Sequence, residues 1–222
     1  MHFEQGTIEV TIVLIPYNNK DRFETRLERD LIPTILAHPS WNFQIVIIDN
    51  SDEDAKVSCA SLDANNLDYA YRHSSKNLMY GPSMNLATQI AKYPYLVYLC
   101  SNHGHMYNPT WIDDLIYPII NNANVAMTGS HHPSCHPKAL GFPSHLPSFH
   151  IQGGVFGART SCLAKHPYSE NENYKHWGSD VLECFQLLNA GYILYNVPTV
   201  KSVWRQNVNA PEKWKYVHDY SE

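Results

Sequence analysis

The sequence predicts an α/β domain built on a central, mostly parallel mixed sheet flanked by helices. Three observations carry that expectation. Runs such as "IEVTIVLIP", "FQIVIID" and "YLVYLC" are rich in β-branched and aromatic residues and alternate with segments of helical period. These runs are apolar almost throughout, as strands are when helices cover both faces of a sheet. Each run ends abruptly in polar residues, and in such sheets ligands sit beyond the carboxyl ends of the strands.

The elements follow in order. The first strand stops at Pro16, and "RFETRLERDLIPTILAH" has apolar residues at helical spacing with an interruption at Pro33. "FQIVIID" is the second strand. After the polar "NSDEDAK" come a short helix and a weak strand near "DYAYRH". "PSMNLATQIAKY" predicts a helix and "YLVYLC" the third strong strand. "PTWIDDLIYPIINN" predicts a helix with Pro109 in its first turn, and "ANVAMTGS" a strand. Residues 130–149 are rich in proline and histidine and predict a loop. "IQGGVFGA" reads as extended and "SDVLECFQLLNAG" as a helix capped by Ser179 and stopped by Gly191. "YILYNVP" is a further strand, and the remainder looks irregular. With neither a repeat nor a low-complexity linker, the expectation is a single domain over 1–222. It divides into a half of about 1–105, a half of about 106–205 and an irregular tail over 206–222.

At 222 residues and 44% hydrophobic content the chain can bury a sizeable core. A net charge of -5 gives no electrostatic footprint for nucleic acid. No segment has the apolar length of a transmembrane span, and the acidic start reads as a first strand rather than a leader. Five scattered cysteines make neither a disulfide framework nor a metal knuckle, which points to reduced thiols and a cytoplasmic location. Of thirteen histidines, His131, His132, His136, His145 and His150 fall in one Pro-rich stretch.

The polar residues after the strands are Pro16-Tyr17-Asn18-Asn19, Asp49-Asn50-Ser51-Asp52 and Ser101 to His105, and they should gather on one edge. Asp49 could accept a hydrogen bond from a ligand ring N–H or cap the following turn. Gly81-Pro82 ahead of a helix offers backbone N–H groups to an anion. His103 and His105, one residue apart in an extended loop, can point to one side and share an ion, or be two ordinary surface imidazoles. Imidazole suits manganese, zinc or iron better than magnesium. Asp180 in the first turn of a helix complements the helix dipole, or serves as a general base beside an apolar wall at Trp177.

Six pieces in order resemble the nucleotide-diphospho-sugar glycosyltransferases of the GT-A fold, most of all family 2. They are "TIVLIPYNN", "IVIIDNSDED", "NLMYGPSMNLA", "YLVYLCSNHGHMYNPTWIDDL", "QGGVFGAR" and "HWGSDVLECFQLLNAGY". The resemblance implies a Rossmann-like GT-A sheet and sugar transfer from a nucleotide-diphosphate donor to a hydroxyl-bearing glycan, lipid or protein. A UDP-sugar is the first expectation and GDP-mannose the second. It implies that Pro16, Tyr17 and Asn18 flank the nucleotide and that Asp49 reads the base. Asn77 and Asn85 would close on base and ribose, while Gly153 and Gly154 would line the sugar and acceptor side. Asp180 would deprotonate the acceptor in an inverting displacement.

The chain departs from the family where the family has Asp-x-Asp, the motif that holds ribose and a divalent ion. Counting from Pro109 puts His103-Gly104-His105 there, and counting from Leu99 puts Cys100-Ser101-Asn102 there. The histidines are the preferred metal ligands, with Mn2+ ahead of Mg2+, and Asn102 and His103 would adjoin the nucleotide. Trp204 stands where the family often has a further metal-binding histidine. Without metal the imidazoles would meet the diphosphate directly. Metal-dependent binding would then fade as pH falls through the imidazole range, and metal-free binding would improve. The His-rich stretch over 131–150 would be an acceptor-side lid or a solvated loop. The alternatives are a non-catalytic sugar-nucleotide or glycan-binding module on the same fold and, further off, a metallophosphoesterase. The latter needs an early Asp-x-His that the chain lacks.

Overall fold

A computed structural model describes residues 7–101, 105–106, 108–130, 148, 150–151, 153–175, 178–197 and 202–203. Its core is a seven-stranded sheet in the order β3-β2-β1-β4-β7-β6-β8. The strands are β1 (Glu9–Leu14), β2 (Asn42–Asp49), β3 (Tyr69–His73), β4 (Tyr95–Leu99), β6 (Val125–Ser130), β7 (Val155–Arg159) and β8 (Ile193–Val197). Pairs β1–β2, β1–β4, β2–β3 and β6–β8 are parallel. Strand β7 runs antiparallel between β4 and β6. The sheet is therefore mixed, as expected. The short strands β5 (His105–Met106) and β9 (Ser202–Val203) pair antiparallel apart from it.

The period of two along each strand sorts the core into two layers. Ile12, Leu14, Ile45, Ile47, Val97 and Leu99 face one side, with Phe23, Leu27, Leu31, Trp111, Ile112 and Leu115 over them. Val13, Val46, Ile48, Leu96 and Tyr98 face the other, under Met84, Ala87, Cys162, Leu163 and Leu187. Both faces are covered, which is why the strands read as unbroken apolar runs. No helix among the described residues is long and apolar enough to cross a membrane.

The helices show where local signals were overridden. The segment with Pro33 does not break. Helix α1 (Lys20–Arg26) passes through a π-helical turn, Leu27–Leu31, into α2 (Ile32–Ala37), whose first turn holds the proline. A π turn shifts the hydrogen-bond ladder by one residue, so the missing proline N–H falls where the ladder is already rearranged. Helix α3 (Ala60–Ala64) and α4 (Tyr80–Ile90) match the expectation. In α5 (Trp111–Asn121) the N-cap is Thr110, so Pro109 precedes the helix rather than sitting in its first turn. Helix α6 (Thr160–Lys165) follows β7 directly and had no counterpart in the sequence reading. In α7 (Ser179–Asn189) the cap is Gly178, in the left-handed region at φ 78°, and Ser179 is the first helical residue. Gly191 at φ 86° ends that helix as expected.

Candidate functional site

The loops after β1, β2 and β4 are tied together by hydrogen bonds on the carboxyl edge. The Asn50 N–H donates to the Pro16 carbonyl at 3.0 Å. Asn18 donates its backbone N–H to Ser51 Oγ at 2.9 Å and its side-chain amide to Asp52 at 2.8 Å. It also accepts the Asp52 N–H at 2.9 Å. These bonds hold Asn18 at φ 48°, a left-handed conformation that asparagine tolerates better than most residues. Next to it Tyr17 is exposed and Pro16 buried. Asn19 reaches across to the end of β4, its Nδ2 donating to Ser101 Oγ at 2.8 Å.

Asp49 ends β2 facing inward. Its Oδ1 accepts the Ser51 N–H at 2.9 Å, and its Oδ2 accepts the Val57 N–H at 3.0 Å and the Tyr71 hydroxyl at 2.6 Å. Burial pushes this carboxyl up, but the Tyr71 and Ser51 bonds and the two backbone N–H groups outweigh it and hold it below its ordinary value. Of the two roles open to Asp49, the one occupied here is capping of the Ser51–Val57 loop. Asn50 links this loop to α4, donating to Ser83 Oγ at 2.8 Å and accepting the Leu78 N–H at 3.3 Å. Asn77 accepts the Met79 N–H at 2.8 Å and shapes the turn into α4, where Met79 lies at φ 67°. Asn85 faces the other half of the molecule. It accepts the Tyr168 N–H at 2.8 Å and donates to the Tyr168 carbonyl at 3.0 Å and to Glu170 at 2.8 Å. The Gly81 N–H is likewise spent on the Lys175 carbonyl at 2.8 Å, so it is not offered to an anion.

Of the Asp-x-Asp counterpart, Asn102 and His103 lie outside the described residues, as do Trp177, Trp204, His131, His132, His136 and His145. His105 is placed by its backbone in β5, opposite Val203 of β9. That strand is anchored from below. The Met106 N–H donates to Asp30 Oδ1 at 3.1 Å, and Asp30, on the π turn, is buried in an ion pair with Arg26, also buried. At the described end of β4 the side chains are a half-buried thiol, Cys100, and the Ser101 hydroxyl that holds Asn19. Among the described residues no three His, Cys, Asp or Glu side chains form a metal-binding group.

The second side of the edge is built by Gly153, Gly154 and Asp180. The Cys100 N–H donates to the Gly154 carbonyl at 3.0 Å, continuing the β4–β7 ladder past the strand end. The Gly153 N–H donates to Asp180 Oδ2 at 3.1 Å, so the first turn of α7 is drawn toward the end of β4. Glycine is required at 153, because a Cβ there would lie 2.9 Å from the Tyr80 ring and hydroxyl. Asp180 Oδ2 also meets His150 Nε2 at 3.2 Å, and Oδ1 accepts the Val181 N–H at 3.0 Å. Burial raises the Asp180 carboxyl, but the His150 bond and charge, joined by the two backbone N–H groups, bring it below the ordinary carboxylate value. One turn further, Glu183 is fully buried with neither carboxyl oxygen hydrogen-bonded among the described residues. Burial alone pushes its pKa up to about 8.

Sequence reasoning therefore missed three residues of this edge. His150 was grouped with the Pro-rich stretch, and no local pattern shows that it meets a carboxylate thirty positions away. Asp30 was covered only as part of the helical segment around Pro33 and was given no role of its own. Glu183 carried a signal that could have been used, since it sits four residues after buried Ser179, on the apolar stripe of α7.

No protein-family model and no curated protein matches the chain. Solved structures do match. The mannosyltransferase PcManGT from Pyrobaculum calidifontis, in complex with GDP-Man and Mn2+, aligns with a TM-score of 0.74 at 10% identity, covering 96% of this chain and 61% of that one. Glucosyl-3-phosphoglycerate synthase from Mycobacterium tuberculosis, with Mn2+, UDP-glucose and phosphoglyceric acid, aligns at 0.64 with 12% identity, covering 96% and 76%. GalNAc-T7 with UDP, GalNAc and Mn2+ aligns at 0.64 with 15% identity, covering 89% and 44%. The chain thus spans about three fifths of the length of the mannosyltransferase. It has the GT-A fold of these glycosyltransferases.

Proposed function

We propose that this GT-A chain is a glycosyltransferase, moving a sugar from a nucleotide-diphosphate donor to a hydroxyl acceptor. The observation that carries the reading is the joining of two edges at the end of β4. Ser101 holds the Asn19 loop on one side, while Cys100 is bonded to Gly154, next to the Gly153 that donates to Asp180 on the other. That arrangement suits a donor lying across β1, β2 and β4 and an acceptor approaching over Gly153. The solved relatives support it, because their complexes contain GDP-mannose, UDP-glucose or UDP. A UDP-sugar is the first donor to test and GDP-mannose the second.

In this reading Pro16, Tyr17 and Asn18 flank the nucleotide. Asn102 and His103 approach it from the loop after β4, while Asp49 and Asn77 shape the base side through the loops they cap. Gly153, Gly154 and Trp177 line the acceptor side. The basic function needed for an inverting displacement lies on the acceptor side, where Asp180 meets His150. A divalent ion, Mn2+ ahead of Mg2+, would be held by His103 and His105 and would offset the charge of the leaving diphosphate. The backbone of Met106, next to His105, is braced by Asp30.

Calorimetry of UDP and GDP with and without manganese, on the wild type and on His103→Ala/His105→Ala, tests the reading. Manganese-dependent binding that the double variant loses is the expected result. Binding indifferent to metal would move the histidines to direct phosphate contact. Absence of binding by either nucleotide would overturn the proposed activity. Binding without turnover of any donor would favour a non-catalytic sugar-nucleotide module.

A further inference from the structure

We infer that His150 and Asp180 form a catalytic dyad in which the imidazole, rather than the carboxylate, takes the proton of the acceptor hydroxyl. This deepens the glycosyl-transfer reading and rests on it. The geometry of the pair is constrained on both sides. The 148–154 segment is stapled to α7 by His150 Nε2 to Asp180 Oδ2 at 3.2 Å, by the Ile151 N–H to Cys184 Sγ at 3.2 Å and by the Gly153 N–H to Asp180 at 3.1 Å. The segment is tied to β8 as well. Ser148 donates its N–H to the Leu194 carbonyl at 2.7 Å and its hydroxyl to the His150 carbonyl at 2.8 Å. Asn196 donates to the same hydroxyl at 3.1 Å. His150 is therefore held at its backbone and at one ring nitrogen.

The other nitrogen, Nδ1, has no hydrogen-bond partner among the described residues, and the ring is partly exposed. Asp180 is the opposite case. Oδ2 already accepts two bonds and Oδ1 one, all of which favour its ionised form. A carboxylate so stabilised is a weak proton acceptor, whereas an imidazole is matched to work near neutral pH. The carboxylate has a different task, which is to hold Nε2 as the N–H and leave Nδ1 as the lone pair.

The acceptor O–H proton passes to Nδ1 of His150, and the freed oxygen pair forms the bond to the anomeric carbon. The bond from that carbon to the diphosphate oxygen breaks, and the nucleoside diphosphate leaves with the electron pair. The imidazolium so formed is stabilised by Asp180. Among the described residues the other titratable groups packed around the pair are Tyr80 from α4 and Glu183 and Cys184 from α7, while β8 supplies the neutral Asn196. Burial keeps the Tyr80 hydroxyl and the Cys184 thiol protonated, and holds Glu183 neutral below about 8.

The test uses the full chain with UDP- and GDP-sugars and a mixture of methyl glycosides as acceptors, reading nucleoside diphosphate release. His150→Gln can still donate to Asp180 but cannot take a proton. It should lower kcat by about 10²–10⁴-fold, as should His150→Ala, with donor KM unchanged. Added imidazole should restore part of the His150→Ala rate, and Asp180→Asn should add little to His150→Ala in the double variant. A His150→Gln enzyme within tenfold of wild type overturns the dyad and returns the proton to Asp180. Nitrogen chemical shifts of the His150 ring give a readout free of turnover. The Nε2–H tautomer is expected in the wild type and a mixture in Asp180→Asn, and a wild-type mixture would also overturn the proposal. Failure of the underlying reading looks different: the wild type itself turns over no donor and binds no nucleotide, and the dyad's catalytic role falls with it.

Discussion

Replacing Glu183 with glutamine should stabilise the fold, and by an amount that depends on pH. Glu183 lies on the buried stripe of α7 with both carboxyl oxygens lacking hydrogen bonds among the described residues. Burial raises its pKa from 4.5 to about 8. Between those values the folded protein keeps a proton that the unfolded chain has released. The native state then binds more protons than the unfolded state, so stability falls as pH rises. The slope approaches about 1.4 kcal/mol per pH unit, and from 4.5 to 7 the loss accumulates to about 3 kcal/mol. That is a sizeable share of a typical domain stability of about 5–15 kcal/mol. Above about 8 the folded form ionises too, and the loss levels off. Glutamine has the same shape and releases no proton, so Glu183→Gln should match the wild type within about 1 kcal/mol near pH 5. At pH 7 it should exceed it by about 3 kcal/mol. Urea unfolding of both proteins at pH 5, 6, 7 and 8, followed by tryptophan fluorescence, measures the difference. Other titrating groups cancel in the subtraction. A difference that stays constant from pH 5 to 8, with unchanged m-values, would refute the reasoning.

Three further outcomes are expected. Asp30→Ala should cost about 3–5 kcal/mol in urea unfolding, because buried Arg26 loses its carboxylate partner. Gly153→Ala should cost about 1–3 kcal/mol by the same measurement. Its Cβ would meet Tyr80, which cannot retreat from the Tyr98 and Tyr168 rings packed 5.5 and 5.4 Å away. Asp180→Asn should narrow the pH range of stability in a defined direction. The native carboxyl sits below its ordinary value, so its contribution is present above that value and lost as pH falls through the native one. Acid unfolding curves of wild type and variant should separate near neutrality and converge in strong acid.

How far the sequence alone reaches can be judged residue by residue. The β-branched runs that became β1, β2 and β4 were legible, since apolar period and length are local properties that burial on two faces enforces. The abrupt polar ends of those strands were legible for the same reason, and so was α7 with Asp180 in its first turn, although its cap is Gly178 rather than Ser179. What tertiary structure decided was every relation between distant segments. The antiparallel insertion of β7 between β4 and β6 depends on pairing energy over long separations, which no window of sequence contains. The π turn ahead of Pro33 carries Asp30, whose contacts with Arg26 and with the distant Met106 N–H only the packed structure shows. Asp49 was rightly placed at a strand end, but only the packed loop shows that Tyr71 and two backbone N–H groups saturate it. Asn85 was placed on the right helix, and its direction toward Tyr168 came from helix packing. His150 and Asp180 were both visible as residues, and their partnership was not. A hydrogen bond between side chains thirty positions apart leaves no trace in periodicity, composition or spacing, because it is made by the fold that brings the two segments together.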